Sequence, residues 1–286
     1  MLKDLAELVR APAALTVPGD VLAGAVASGN GRPARLVGLS ASSICIYWAG
    51  MALNDWADRE VDAVERPERP IPSGRVTPRA ALGLATGLTT AGLALAAATG
   101  GSAAFRTSAL LAATAWTYDL GAKNTPAGPA FMAAARCLDV LVGAGNNRRA
   151  AWAPALAVGT HILGVTAMSR GEVHGSTPLP PRSALLATAA ITTSTAAAAI
   201  GSTSRAAGVV TTALAGLFAR AVGPAQFAAA QEPTGPRLRK AVGAGIHGLV
   251  PLQAAWCARG GAPRLGAALV VALPLAKRLA RKVSPT

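Results

Sequence analysis

The chain has 286 residues, 52% hydrophobic and only 14% charged, with mean hydropathy +0.41 and a formal net charge of +14. Charges this sparse cannot cover the surface of a soluble domain, so the composition is that of a membrane protein. The Lys and Arg collect at the ends of apolar segments and not along one face. That speaks against nucleic acid as the partner of the charge and for basic membrane flanks.

In chain order, the N-terminal MLKDLAELVRAPAAL mixes acids with bases and reads as an interfacial helix, not a cleaved signal. Because a span needs about 20 mainly apolar residues, the sequence predicts spans at 11–29, 36–55, 80–99, 103–120, 128–146, 151–168, 184–202, 206–228, 241–258 and 265–281. The 206–258 region is the least defined, since Pro224, Pro233, Pro236 and Pro251 offer several places to break it. The expected fold is all-α, a polytopic membrane helix bundle of nine or ten spans, with 1–286 as a single domain. With the N-terminus inside, ten spans place seventeen Lys and Arg on that side and eight on the other. This asymmetry predicts an N-in, C-in arrangement in the cytoplasmic membrane with the loop after the second span facing the cytoplasm. Cys45, Cys137 and Cys257 all lie in apolar segments without paired spacing and read as small buried hydrophobes.

That loop is where chemistry concentrates. Six of the 13 acidic residues fall between Asp55 and Glu68, directly after an apolar run. On a helix, Asn54, Asp55, Asp58 and Asp62 fall within an arc of about 100°. Three carboxylates and an amide with no Cys or His suit Mg²⁺, which binds hard oxygen ligands and is often completed by phosphate. The bland alternative is a solvated acidic face at a helix exit. Arg66, Arg69, Arg75 and Arg79 follow, with Pro67, Pro70 and Pro72 expected to keep the backbone extended and Ser73-Gly74 permitting a turn. Carboxylates beside guanidiniums describe a diphosphate site.

The run Asn54-Asp55-x-x-Asp58-x-x-x-Asp62, followed by Arg66-Pro67-x-Arg69-Pro70-x-Pro72-Ser73-Gly74, resembles the first Asp-rich motif and following loop of UbiA-type intramembrane prenyltransferases. The resemblance implies helical spans around a lipid-accessible central cavity, and Mg²⁺-dependent transfer of a prenyl group from an isoprenoid diphosphate to an aromatic or lipid acceptor. It implies Asn54, Asp58 and Asp62 as metal ligands, with Asp55 supporting them, and Arg66 or Arg69 reaching the diphosphate. Tyr118 and Lys123, in WTYDLGAKNTPAG, fall where the family carries a Tyr and a Lys, and the Lys would neutralise the leaving diphosphate. By their position alone, a Tyr and a Lys at a membrane interface read as anchors.

Two features stand apart. Arg136 and Asp139 are opposite charges three apart within an apolar run and read either as a structural pair or as lining of the cavity, the pair being the preferred reading. After the sixth span, where the family has a second Asp-rich motif, this chain reads MSRGEVHGST, with Ser169, Arg170 and Glu172 and no Asp. Arg170 and Glu172 are the local candidates for substrate binding there, and His174, a lone His, reads more readily as a helix cap than as a binding residue. The departure is similar to divergent members, including the EboC branch, and it keeps open a non-catalytic or transport-type protein with an ion-binding acidic loop.

Overall fold

The computed structural model describes residues 2–271, which fold into helices with no strand among them. In chain order these are α1 (Leu2–Leu8), α2 (Pro18–Ala27), α3 (Pro33–Ala57), α4 (Arg59–Glu65), α5 (Pro78–Leu120), α6 (Gly128–Ala144), α7 (Arg148–Ser169), α8 (Leu179–Ala198), α9 (Arg205–Gln231) and α10 (Gly235–Arg259). Residues 263–271 are also helical, and the rest of the predicted tenth span lies outside the described residues. By length and apolarity α3, α5, α7, α8 with its following turn, α9 and α10 can each cross a membrane. The protein is therefore a polytopic helical membrane protein.

The 43-residue α5 is two spans. Gly101 inside it has φ 72 and ψ −168, a region open essentially to glycine alone. The indole Nε1 of Trp116 donates to Thr89 Oγ1 at 3.1 Å. In one straight helix those residues would stand about 40 Å apart, so the chain turns back at Gly101. The spans predicted at 80–99 and 103–120 are the two arms. Thr77 starts the first arm by accepting a hydrogen bond from the Ala80 amide, with Pro78 at the first helical position.

The proline-rich region resolves in the same way. Pro224 and Pro251 sit within α9 and α10, and the break falls at 232–234. Membrane helices tolerate internal proline because neighbouring groups satisfy the freed carbonyl.

Loops alternate between the two ends of the bundle. At one end Lys123 meets Asp58 at 2.7 Å, Arg170 donates to the Thr125 carbonyl at 2.6 Å, and the Ser176 amide donates to the Pro233 carbonyl at 3.0 Å. At the other end Asn30 donates to the Ala144 carbonyl at 2.7 Å and Arg148 to Thr107 Oγ1 at 2.8 Å. Among the described residues, the loops assigned to one side by charge thus do gather at one end; the basic segment 277–282 lies outside them.

Small residues set the packing. A Cβ on Gly24 would lie 1.8 Å from the Val140 carbonyl oxygen, and one on Gly143 would lie 2.0 Å from that of Val21. The backbones of α2 and α6 are therefore in direct contact, as small-residue membrane interfaces allow. α10 is the most enclosed span, 78% buried, whereas α8 and α9 are 28% buried and leave their outer faces to lipid.

Candidate active site

α3 runs into α4 through Asp58, whose φ −89 and ψ 3 depart only slightly from helix. The Asp58 amide donates to the Asn54 carbonyl at 2.9 Å, and the Asp62 amide donates to that of Asp58 at 2.8 Å. The register of a continuous helix therefore holds from Asn54 to Asp62. The loop after it is not extended: the Ser73 amide donates to the Arg69 carbonyl and the Val76 amide to that of Pro70. Its prolines sit in successive turns, which fold the guanidiniums back over the helix end.

Two groups of charges result. In the first, Arg69 Nη1 donates to Asp62 Oδ2 at 2.5 Å and to Asp55 Oδ1 at 3.4 Å, while Arg66 lies 3.7 Å from Asp62. Arg10 adds a bond to Asp55 at 3.0 Å. Asp55 and Asp62 are both buried, so without these guanidiniums they would be uncompensated charges. Arg10 is the one non-glycine residue with positive φ among the described residues, at φ 47 and ψ 51. That strain swings its guanidinium onto Asp55 and the Met51 sulfur.

The second group comprises Asn54, Asp58, Asp119 and Lys123. The Asn54 amide donates to Asp119 Oδ1 at 3.2 Å, and Lys123 Nζ sits against Asp58. Lys123 also acts electrostatically on Asp119, so one ammonium offsets charge on two carboxylates. Asp119, near the end of α5, is 5% exposed. Sequence reasoning named its neighbour Tyr118 and passed over it, although it is the only acid between Glu68 and Asp139.

Asp119 and Tyr118 open onto a cavity of about 460 Å³ enclosed by α3, α5, α6, α7 and α10. Arg10 and Ser169 also line this end of it, and Ile46, Leu111, Ile162, Val165 and Leu249 form apolar walls. The inner part is bounded by Ser43, Tyr47, Arg136 and Asp139. Arg136 does not pair with Asp139 as its spacing suggested. It forms an ion pair with Asp20 of α2 at 2.8 Å, while Ser43 donates to Asp139. Both residues face inward, where α2 and α3 offer nearer partners than the next turn of α6 does.

The loop at 169–178 supports the site more than it lines it. Ser169 reaches the cavity wall, and Arg170 braces the 121–127 loop through Thr125. Burial raises the Glu172 carboxyl above its usual range, and its nearby cation is Arg239. His174 is exposed.

Among the described residues no three His, Cys, Asp or Glu groups converge on one point at metal-binding distance. Mg²⁺ asks for less: one or two carboxylates, retained waters and substrate phosphate oxygens. Asp58 and Asp119 with the Asn54 amide fit that requirement, being oxygen donors grouped around Asp119, which lines the cavity. Asp55 and Asp62 are already bonded to Arg10, Arg66 and Arg69 and stand behind them.

A model of the UbiA prenyltransferase family matches residues 16–226. Over 53 residues the chain is 55% identical to a digeranylgeranylglyceryl phosphate synthase of Methanothrix thermoacetophila, a match covering 18% of this chain and 20% of that relative. The alignment thus spans about a fifth of the relative's length. Two solved structures share the fold over nearly the whole chain. One comes from work on digeranylgeranylglyceryl phosphate synthase, with TM-score 0.60 and 18% identity, covering 91% of this chain and 98% of that one. The other is a UbiA homologue from Aeropyrum pernix K1, with TM-score 0.54 and 20% identity, covering 95% and 97%. The named relatives are thus digeranylgeranylglyceryl phosphate synthases, not members of the EboC branch that the 169–172 departure had suggested. Since the family model spans most of the chain and includes the whole 54–74 motif, the chain belongs to the UbiA prenyltransferase family.

Proposed function

We propose that the chain transfers a prenyl group from an isoprenoid diphosphate to a lipid acceptor inside the membrane, with Mg²⁺ as cofactor. The observation that carries this is the cavity with apolar walls and a mouth bearing Asp119 and Tyr118, beside Asn54, Asp58 and Lys123. Its volume of about 460 Å³ falls in the range of small-molecule sites. In this reading Asn54, Asp58 and Asp119 hold the metal, and Asp62 and Asp55 fix Arg69 and Arg10. Mg²⁺ supplies Lewis-acid neutralisation of charge growing on the departing diphosphate.

The protein's own groups do the rest. Lys123, with Arg66 and Arg69 from the loop, binds diphosphate oxygens, and Tyr118 bounds the first carbons of the prenyl chain. Arg170 holds the 121–127 loop so that Lys123 faces the mouth. The aliphatic walls exclude water while the allylic cation is exposed. The synthases among the relatives support a glycerol-type lipid as acceptor over an aromatic one. The charge asymmetry of the loops supports a cytoplasmic mouth.

The test is diphosphate release by the full chain in nanodiscs with Mg²⁺, labelled geranylgeranyl diphosphate and a panel of lipid and phenolic acceptors. Asp58→Ala is expected to lower turnover by about 100-fold or more, the scale of removing one electrostatic contact from a transition state. It should do so with the fold retained, because the Asp58 side chain is 31% exposed. Turnover unchanged in this variant refutes the site.

A further inference from the structure

Asp20, Ser43, Arg136, Asp139 and Gln253 form a polar cluster deep in the bundle, and the diphosphate site uses none of them. Gln253 Nε2 donates to Asp20 Oδ1 at 2.7 Å and to the Thr16 carbonyl at 2.9 Å. Arg136 pairs with Asp20, and Ser43 donates to Asp139. The carboxyls of Asp20 and Asp139 also adjoin. Asp20 is fully buried and Asp139 is 3% exposed. Charged groups inside a membrane bundle are costly and mark function more often than architecture. Arg136 Nε is buried with no hydrogen-bond partner, so the cluster is not self-satisfied.

Arg136, Asp139 and Ser43 line the inner part of the same cavity whose mouth carries Asp119. Ser43 and Gly50 lie on one helix, and a Cβ on Gly50 would sit 3.6 Å from Asp119 Oδ2. Seven residues of helix separate them, so the two polar poles stand about 10 Å apart. A diphosphate at the mouth, with its first prenyl carbon pointing inward, leaves space for one further reacting group before Asp139. Two carboxyls against one guanidinium give that pole no net positive charge. It would repel a carboxylate or phosphate and accept a hydrogen bond from an uncharged hydroxyl.

We propose that this inner pole is the acceptor site, and that it takes the uncharged hydroxyl of an aliphatic alcohol, with Asp139 as the group it bonds. The proposal rests on the prenyl-transfer reading for its chemistry but not for its binding. On transfer, the bond between prenyl C1 and the diphosphate oxygen breaks, its electron pair leaving with diphosphate. An acceptor oxygen lone pair forms the new C1–O ether bond, and the hydroxyl proton passes to the Asp139 carboxylate. Ser43, which donates to Asp139, is a positioning residue that keeps that carboxylate turned to the cavity, while Arg136 is held by Asp20 and the Thr16 carbonyl.

Binding of a monoalkylglycerol, and of the fatty acid of equal chain length, is measured by tryptophan fluorescence on the full chain in nanodiscs, without Mg²⁺ or diphosphate. The alcohol is expected to bind, and the fatty acid at least tenfold more weakly. Asp139→Asn should weaken alcohol binding about tenfold with little change in melting temperature, and Asp58→Asn should leave it unchanged. Turnover with the alcohol should show the Asp139→Asn defect in the acceptor KM and in kcat, and not in the diphosphate KM. Equal binding of alcohol and fatty acid, or unchanged alcohol affinity in Asp139→Asn, overturns the proposal. A melting temperature lowered in Asp139→Asn with affinity intact assigns the cluster to architecture and overturns it as well. Alcohol binding that depends on Asp139, with no diphosphate release under any condition, refutes prenyl transfer and leaves the inner pole standing as an alcohol site.

Discussion

Replacing Asp119 by Asn separates its role in holding a cation from any role in packing. The carboxylate is 5% exposed, accepts the Asn54 amide at 3.2 Å, and faces Lys123 with Asp58 on the other side. One unit charge about 4 Å from a cation is worth about 4 kcal/mol at an effective dielectric of 20, and twice that for a divalent ion. Most of this is offset, because Lys123 competes for the same oxygens and the ion leaves hydration behind. A net of about 1.4 to 2.8 kcal/mol remains, which is tenfold to a hundredfold in affinity. The assay is turnover against Mg²⁺ concentration: Asp119→Asn should raise the half-saturating Mg²⁺ by about that factor and recover much of its rate at high Mg²⁺. The isosteric amide should still meet Asn54 once one amide group flips, and it removes a buried charge, so the melting temperature without Mg²⁺ should not fall. An unchanged Mg²⁺ dependence would refute the assignment of Asp119 to the metal, and a collapsed melting temperature would make it a structural residue.

Two other perturbations follow from the fold. Gly101→Ala forces a side chain into φ 72, ψ −168 and is expected to destabilise the α5 hairpin by about 1–3 kcal/mol, read as a lower unfolding midpoint in detergent. Arg75 clasps Glu7 and Asp4 of α1 at 2.8 and 2.9 Å, and its hydrogen bonds hold the Glu7 carboxyl below the usual 4.5. A depressed folded value means the clasp contributes in full above that usual value and is lost as pH falls through the lower one. Both partners are largely solvated, so the effect is about 0.2–1 kcal/mol. Hydrogen exchange over 2–8, corrected for intrinsic rate, should rise below about pH 4 relative to α10 and should do so at neutral pH in Arg75→Ala.

Helix positions were legible in the chain because hydropathy reports directly on lipid, but the expected nine or ten spans were not all met. Among the described residues six helices, one of them the two-armed α5, are long and apolar enough to cross a membrane, and α2 with ten residues and α6 with 17 are not among them. The arms of α5 were separable from sequence since Gly100-Gly101 interrupts an otherwise continuous run. The spans at 206–228 and 241–258 also fall on α9 and α10, but the prolines left the break between them undefined, because in lipid a proline need not end a helix and packing decides where the break falls. The acidic face was legible because Asn54, Asp58 and Asp62 follow one helical period. Its partners were not, since which cation each acid meets depends on how the 66–76 turns fold back and on where α1 ends. Arg10 illustrates this. It reads as a membrane flank, and only its left-handed backbone carries it over Asp55. Asp20 and Asp119 carried a signal that went unused, each being a lone acid in a long uncharged stretch. The mistaken Arg136–Asp139 pair came from counting along one helix when the nearer partners were on others.

The altered second loop then has a physical account. In a family that places carboxylates after its sixth span, Ser169, Arg170 and Glu172 look like the loss of a site. The bundle bonds Arg170 to the Thr125 carbonyl of the 121–127 loop, and it places Asp119 on the cavity wall from α5. Asp119, buried at the end of α5, has a fixed direction because its helix is packed against α3 along the first Asp-rich motif. A guanidinium bonded to the loop that carries Lys123 adds positive charge where a second cation would otherwise be needed. On the proposed prenyl-transfer reading, the negative and positive groups that a diphosphate requires are carried by α5 and the two loops flanking it. On this argument the sequence of 169–172 marks a different placement of charge around the leaving group and not the absence of a site.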